Sequence, residues 1–95
     1  MSVPDNAPKL HKNSLRWTVM LYVATDPPYS WTPRSIEIEL ESMGHTWRSV
    51  RKAVENLVQR GLIKRTEWKE REYLMSTSAG IRSMKQYIPT LKEVV

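Results

Sequence analysis

The chain has 95 residues, 40% of them apolar, with four Trp, four Tyr and no Phe, which is the composition of one small globular domain and not of a disordered segment. It has no cysteine, so disulfides and thiolate metal sites are excluded and a reducing, cytoplasmic setting is expected; no apolar run approaches the roughly 20 residues of a membrane span. Fifteen Lys and Arg against ten Asp and Glu leave a net charge of +5, a balance that favours a polyanionic partner without identifying one.

Residues 1–12, MSVPDNAPKLHK, show no periodicity, carry Pro4 and Pro8 and lack the cationic-then-apolar pattern of a signal peptide. They predict a flexible N-terminal arm with a basic end at Lys9, His11 and Lys12. From an N-cap at Asn13 or Ser14, Leu15, Val19, Tyr22 and Val23 recur at helical spacing, and Trp17, Met20 and Leu21 add apolar surface around the cylinder. This first helix is expected to be buried on more than one side. Pro27 and Pro28 end it in a loop that Trp31 can anchor. Thr32 followed by Pro33 is a second helix start, with Ile36, Leu40 and Met43 as its apolar stripe and Gly44 as its stop. Thr46 caps a third helix in which Trp47, Val50, Val54, Leu57 and Val58 share a face, with Ala53 at its edge, until Gly61. Residues 62–76 then mix β-branched and aromatic residues around a charged centre, Lys69 to Arg71, and predict a β-hairpin whose turn no Asn-Gly or Asp-Gly specifies. Thr77 caps a last helix with Ile81, Met84 and Ile88 on one face, ended by Pro89. Residues 89–95 form a tail with Leu91, Val94 and Val95 as its apolar members.

This order of helix, short helix, tight turn, helix, hairpin and helix resembles the small bacterial and archaeal winged-helix transcription regulators of the MarR, PadR and ArsR type. The resemblance covers Leu15 to about Ile88. It rests on Gly44-His45-Thr46 as the helix-helix turn, on SVRKAVENLVQRGLIKR with its L-x-x-x-G-L-I element from Leu57 to Ile63, and on TSAG at Thr77 to Gly80. It implies a mostly helical α+β fold, the winged helix-turn-helix, over residues 13–88: a three-helix core, a two-stranded β wing and a C-terminal helix. It also implies a sequence-specific regulator of double-stranded DNA whose recognition helix is residues 46–60. Relatives dimerise through terminal helices, so a homodimer is expected, with the apolar first helix and the Leu91–Val95 tail as the available surface.

Residues advance by about 100° around a helix. With the stripe centred between Val50 and Val54, the opposite face of the third helix shows Arg48, Lys52, Asn56 and Gln59, flanked by Ser49 and Glu55. Arg and Lys donate to guanine O6 and N7, while Asn and Gln pair with adenine N6 and N7, in a major groove that admits one helix. The N-terminal half, Trp47 to Lys52 and including Arg51, enters deepest, and Thr46 with the free N–H groups of the first turn suits a phosphate oxygen. Lys64, Arg65, Lys69 and Arg71 on the hairpin reach backbone or minor groove as a wing.

A polar helix face is by default solvated, and charges on a hairpin protect its edge from aggregation; only the order of the elements lifts nucleic-acid contact above these readings. The four Trp are by default packing residues, with Trp68 near the hairpin tip as the exception that can stack on a base. Glu37, Glu39 and Glu41 on the second helix, and Glu67, Glu70 and Glu72 on the hairpin, favour a rival expectation. In it the domain docks on a protein of a transcription, replication or degradation assembly. A replication or plasmid-maintenance protein with the same DNA contacts is a third. No metal or cofactor is expected, since His11 and His45 are the only histidines and no phosphate loop or nucleophile elbow is present. The chain is not expected to be an enzyme.

Overall fold

A computed structural model describes residues 10–92. Helix α1 (Leu15–Thr25) starts where Ser14 Oγ accepts a hydrogen bond from the Trp17 backbone N–H at 3.2 Å. Val19, Met20 and Val23 are buried, and Leu15, Trp17, Leu21, Tyr22 and Ala24 pack half-buried against the same core, so the helix is covered on more than one side. Past Pro28 the loop is held by Trp31, whose indole N–H donates to Asp26 Oδ2 at 2.6 Å and whose ring leans on Tyr22. Helix α2 (Pro33–Glu41) opens with a reciprocal capping box: Thr32 Oγ1 accepts from the Ser35 N–H at 3.0 Å, and Ser35 Oγ accepts from the Thr32 N–H at 2.8 Å. Gly44, at φ +94, takes the left-handed conformation that turns the chain from α2 into helix α3 (Trp47–Gln59).

The apolar stripes end earlier than their spacing predicts. α2 stops at Glu41, so Met43 lies on the turn, 54% exposed, with its sulfur 3.4 Å from the Tyr22 hydroxyl oxygen. Trp47, the first residue of α3, overhangs the core and is exposed, and Val58 is half-buried; the stripe that does the packing is Val50, Ala53, Val54 and Leu57. The phenol of Tyr22 is held above its usual pKa by burial and then by the neighbouring Glu39 carboxylate, to which it also donates at 3.4 Å.

Strands β1 (Ile63–Trp68) and β2 (Arg71–Ser76) pair antiparallel from Ile63 opposite Ser76 to Trp68 opposite Arg71. Lys69 (φ +50) and Glu70 (φ +64) make the two-residue turn between them, both in the left-handed region that such turns demand and that neither side chain favours. A single bridge joins Trp31 to this sheet, its carbonyl accepting from the Leu74 N–H at 2.7 Å.

Helix α4 (Ser78–Lys85) closes the core through Thr77, which caps it by accepting from the Gly80 N–H at 3.0 Å. The same hydroxyl donates to the Gly61 carbonyl at 2.5 Å, and the Thr77 N–H donates to the Leu62 carbonyl at 3.1 Å. α4 ends at Lys85, short of Pro89, and Ile88 lies half-buried beyond it. Over the described residues the architecture is therefore a small α+β domain of four helices and one two-stranded antiparallel sheet, with a Cα radius of gyration of 13.0 Å.

The expected boundaries at both ends need correction. Residues 1–9 of the arm, and Val94 and Val95 of the tail, lie outside the described residues. Leu10, however, is 2% exposed within the core, and its carbonyl accepts from the Tyr87 hydroxyl, while Tyr87 meets Trp17 edge-on at 5.8 Å. Leu91 packs on the same core. Apolar burial thus draws Leu10 and Leu91 into the folded unit from segments whose sequence has no period. Among the described residues no helix is long and apolar enough to cross a membrane.

Gly80 has no room for a side chain: a Cβ there would lie 2.2 Å from the Leu62 carbonyl oxygen and 2.9 Å from Met20 Cε. Gly80→Ala is expected to destabilise the domain by about 1–3 kcal/mol in urea unfolding, although alanine is the better helix former. Conversely, Lys69→Asn with Glu70→Gly supplies residues that tolerate positive φ and is expected to stabilise by about 1 kcal/mol, read as a higher thermal midpoint.

Candidate nucleic-acid interface

Burial of Val50, Ala53, Val54 and Leu57 leaves Arg48, Ser49, Lys52 and Gln59 exposed and Asn56 half-exposed along the other side of α3. Thr46 does act as the N-cap: its hydroxyl accepts from the Ser49 N–H at 3.2 Å and lies 2.9 Å from Ser49 Oγ. Beside this face, the start of α1 and the middle of α3 border a groove of about 380 Å³ lined by Ser14, Leu15, Arg16, Ser49, Lys52 and Asn56. Arg48 and Lys52 have no carboxylate partner among the described residues.

Arg51 is placed differently. The Glu37 side chain, only 4% exposed, holds Arg34 Nη1 at 3.1 Å on one oxygen and Arg51 Nε at 3.2 Å on the other. A buried carboxylate alone is costly, and two guanidinium groups offset that cost. Glu37 is therefore a neutralised link between α2 and α3 and not a free negative charge beside the helix face. Arg51 also lies over the Trp47 ring, 4.6 Å from its centroid, with Arg48 on the same ring at 5.2 Å. Trp47 thus carries two cations at the entrance of α3.

The hairpin divides its cations between two faces. Side chains opposite one another in an antiparallel pair share a face, which puts Lys64, Trp68, Arg71 and Tyr73 on one side and Arg65, Glu67, Glu72 and Leu74 on the other. Arg65 is taken up by Glu55 of α3 and by Glu72 at 3.6 Å, a bracket that joins hairpin to helix. Lys69 sits in the turn with its ammonium 4.6 Å from the Trp68 ring. Tyr29, from the loop before α2, stacks on Trp68 at 4.7 Å and meets Tyr73 edge-on at 5.5 Å. The Trp68 ring is accordingly committed within the protein to Tyr29, Tyr73 and Lys69, which weighs against its use as a base-stacking platform.

Of the positions singled out in the sequence, Ser49, Lys52 and Asn56 line one groove and Arg48 lies beside them on the outward side of α3, while Trp47 sits at the start of the helix with Thr46 and turns toward Arg51. Arg51 and Arg65 are bound in ion pairs at the border of α3, and Lys64, Lys69 and Arg71 lie apart on the hairpin. Sequence reasoning missed Arg16 and Tyr29, and it took Glu37 as one of the open charges of the second helix where the structure buries it between two guanidinium groups. A signal existed for Arg16, the sole charged residue in LRWTVMLYVAT. Among the described residues no group of three His, Cys, Asp or Glu side chains is arranged to hold a metal ion.

Glu37→Gln leaves Arg34 and Arg51, whose side chains are 71% and 58% exposed, in contact with water, so its expected cost is about 1–3 kcal/mol. The Arg34→Ala, Arg51→Ala double variant strands the buried carboxylate and is expected to lose more, about 3–5 kcal/mol in the same urea titration. Comparison of the chain with protein-family models, with curated proteins and with solved structures yields no match.

Proposed function

We propose that the chain is a winged helix-turn-helix domain that binds double-stranded DNA sequence-specifically as a transcription regulator, with α3 in the major groove and the β1–β2 hairpin as the wing. The observation that carries this reading is the exposed side of α3. Its cations Arg48 and Lys52 have no carboxylate partner among the described residues, its hydrogen-bonding side chains Ser49, Asn56 and Gln59 are interleaved with them, and a cationic groove adjoins it. A helix presents such a row to base edges, whereas the paired Arg51 and Arg65 are suited to bracing the helix and hairpin. The wing's part is positional: Lys64 and Arg71 face the backbone of the duplex, and the Tyr29 stack stiffens the hairpin that carries them.

The proposal includes two copies on successive major grooves, as the resemblance implies. The apolar surface that first motivated a homodimer is largely spent within one copy, since the α1 side chains and Leu91 pack on their own core. A specific observation favours a second reading, docking on a protein partner: Ile38 on α2 and Met43 on the following turn are each 54% exposed. A replication or plasmid-maintenance role uses the same DNA contacts and differs only in where the DNA lies.

The test is fluorescence anisotropy of the protein against random duplex and against duplex flanking its own gene, at several salt concentrations. Tighter binding to the flanking duplex, with affinity falling steeply on a log salt axis, is expected. No binding to either duplex at low salt rejects the reading and turns the search to a protein partner. Arg48→Ala and Lys52→Ala are each expected to weaken specific binding by about 1–3 kcal/mol, and unchanged affinity in both variants rejects α3 as the reading face.

A further inference from the structure

The only charged residue of α1 reaches across to α3. Arg16 Nη1 donates to Asn56 Oδ1 at 3.3 Å, a contact between residues forty positions apart. A guanidinium has donors and no acceptor, so the amide facing it must turn its oxygen inward. The Asn56 NH₂ group is then directed away from Arg16 and has no partner among the described residues. Arg16, Asn56 and Lys52 line the same groove between α1 and α3.

An asparagine that is free to choose reads adenine by using both ends of its amide, accepting from N6 and donating to N7. Asn56 lacks that freedom while its oxygen is turned to Arg16. Around the Asn56 amide the groove offers donors: the Asn56 NH₂, the remaining guanidinium N–H groups and the Lys52 ammonium, while the two hydroxyls that also line it are engaged at the helix caps, Ser14 Oγ with the Trp17 N–H and Ser49 Oγ with Thr46 Oγ1. Guanine presents two acceptors in the major groove, O6 and N7, whereas adenine presents N7 beside an N6 donor that would face another donor. We propose that Arg16 is a specificity-determining residue that orients the Asn56 amide so that this part of the surface selects guanine and rejects adenine. The inference rests on the DNA-binding reading above. Arg16 acts as a positioning residue for Asn56 and adds one cation to the phosphate-facing charge.

Selection of binding sites from a random duplex pool tests it, with the full chain, Arg16→Met, Arg16→Lys and Asn56→Ala run in parallel. The unaltered protein is expected to select guanine at one position. Arg16→Met keeps the aliphatic stem, releases the amide and is expected to shift the guanine-to-adenine ratio there by about tenfold towards adenine. Arg16→Lys is expected to retain guanine, because an ammonium also only donates, and Asn56→Ala to lose preference at that position alone. The same base ratios in Arg16→Met as in the unaltered protein, or a loss in Arg16→Lys equal to that in Arg16→Met, overturn the proposal. If Arg16→Met does not fold, Asn56→Asp decides: a carboxylate has only acceptors, so guanine must give way, and retained guanine overturns the proposal. A protein that selects no sequence at all defeats the DNA-binding reading itself. One that selects a sequence indifferent to Arg16 defeats only this inference.

Discussion

The seating of one apolar stripe, Val50, Ala53, Val54 and Leu57, sets the rotation of α3 about its axis, and the character of the surface follows from that rotation. These side chains are almost wholly withdrawn from water, alongside Val19, Met20 and Val23 of α1 and Ile36 and Leu40 of α2. A helix turned by one residue, about 100°, would expose part of the stripe and bury Lys52 or Arg48 without a partner. Burial and charge solvation therefore agree on one orientation. The row Arg48, Lys52, Asn56 is presented because the core leaves it nowhere else to go.

Charge is sorted with the same economy. Cations that point along the border of α3 meet acids brought to them by other elements: Arg51 meets Glu37 of α2, and Arg65 meets Glu55 of α3 and Glu72 of β2. On the outward side of α3, Arg48 and Lys52 meet no carboxylate among the described residues. The contrast matters because a paired guanidinium and a free one differ in what they can offer a phosphate or a base, and counting Lys and Arg in the sequence does not distinguish them. Glu67 and Glu72 stand directly opposite in the hairpin, an unfavourable pair that the Arg65 contact to Glu72 partly relieves.

The end of α3, the first strand and α4 converge on a small knot of backbone bonds. Gly61, at φ +74, lets the chain reverse; Leu62 N–H returns to the Leu57 carbonyl at 3.0 Å, and Thr77 takes the Gly61 and Leu62 carbonyls. Gly80 lets α4 approach the Leu62 backbone. This knot couples the hairpin to the helix rigidly at its base. At its far end the hairpin is instead held by side chains, through Tyr29 on Trp68, on a loop that is itself pinned by Trp31.

Local signals were enough to read the elements: Thr32, Thr46 and Thr77 as caps, Gly44 and Gly61 as stops, Pro27 and Pro28 as a break, and the helical spacing that named most of the core. Such signals act within one or two turns of chain, which is why they are legible in order of sequence. The outward set on α3 was legible for the same reason, since it is the complement of the stripe. The tertiary structure alone decided which charges are free, because Arg51 and Glu37, Arg65 and Glu72, and Arg16 and Asn56 meet only once the helices and hairpin pack. It likewise decided that Leu10 belongs to the core and that Trp68 lies against Tyr29. Side-chain partnership across separate elements depends on distances that no local period encodes, so the residues were visible in the sequence and their roles were not.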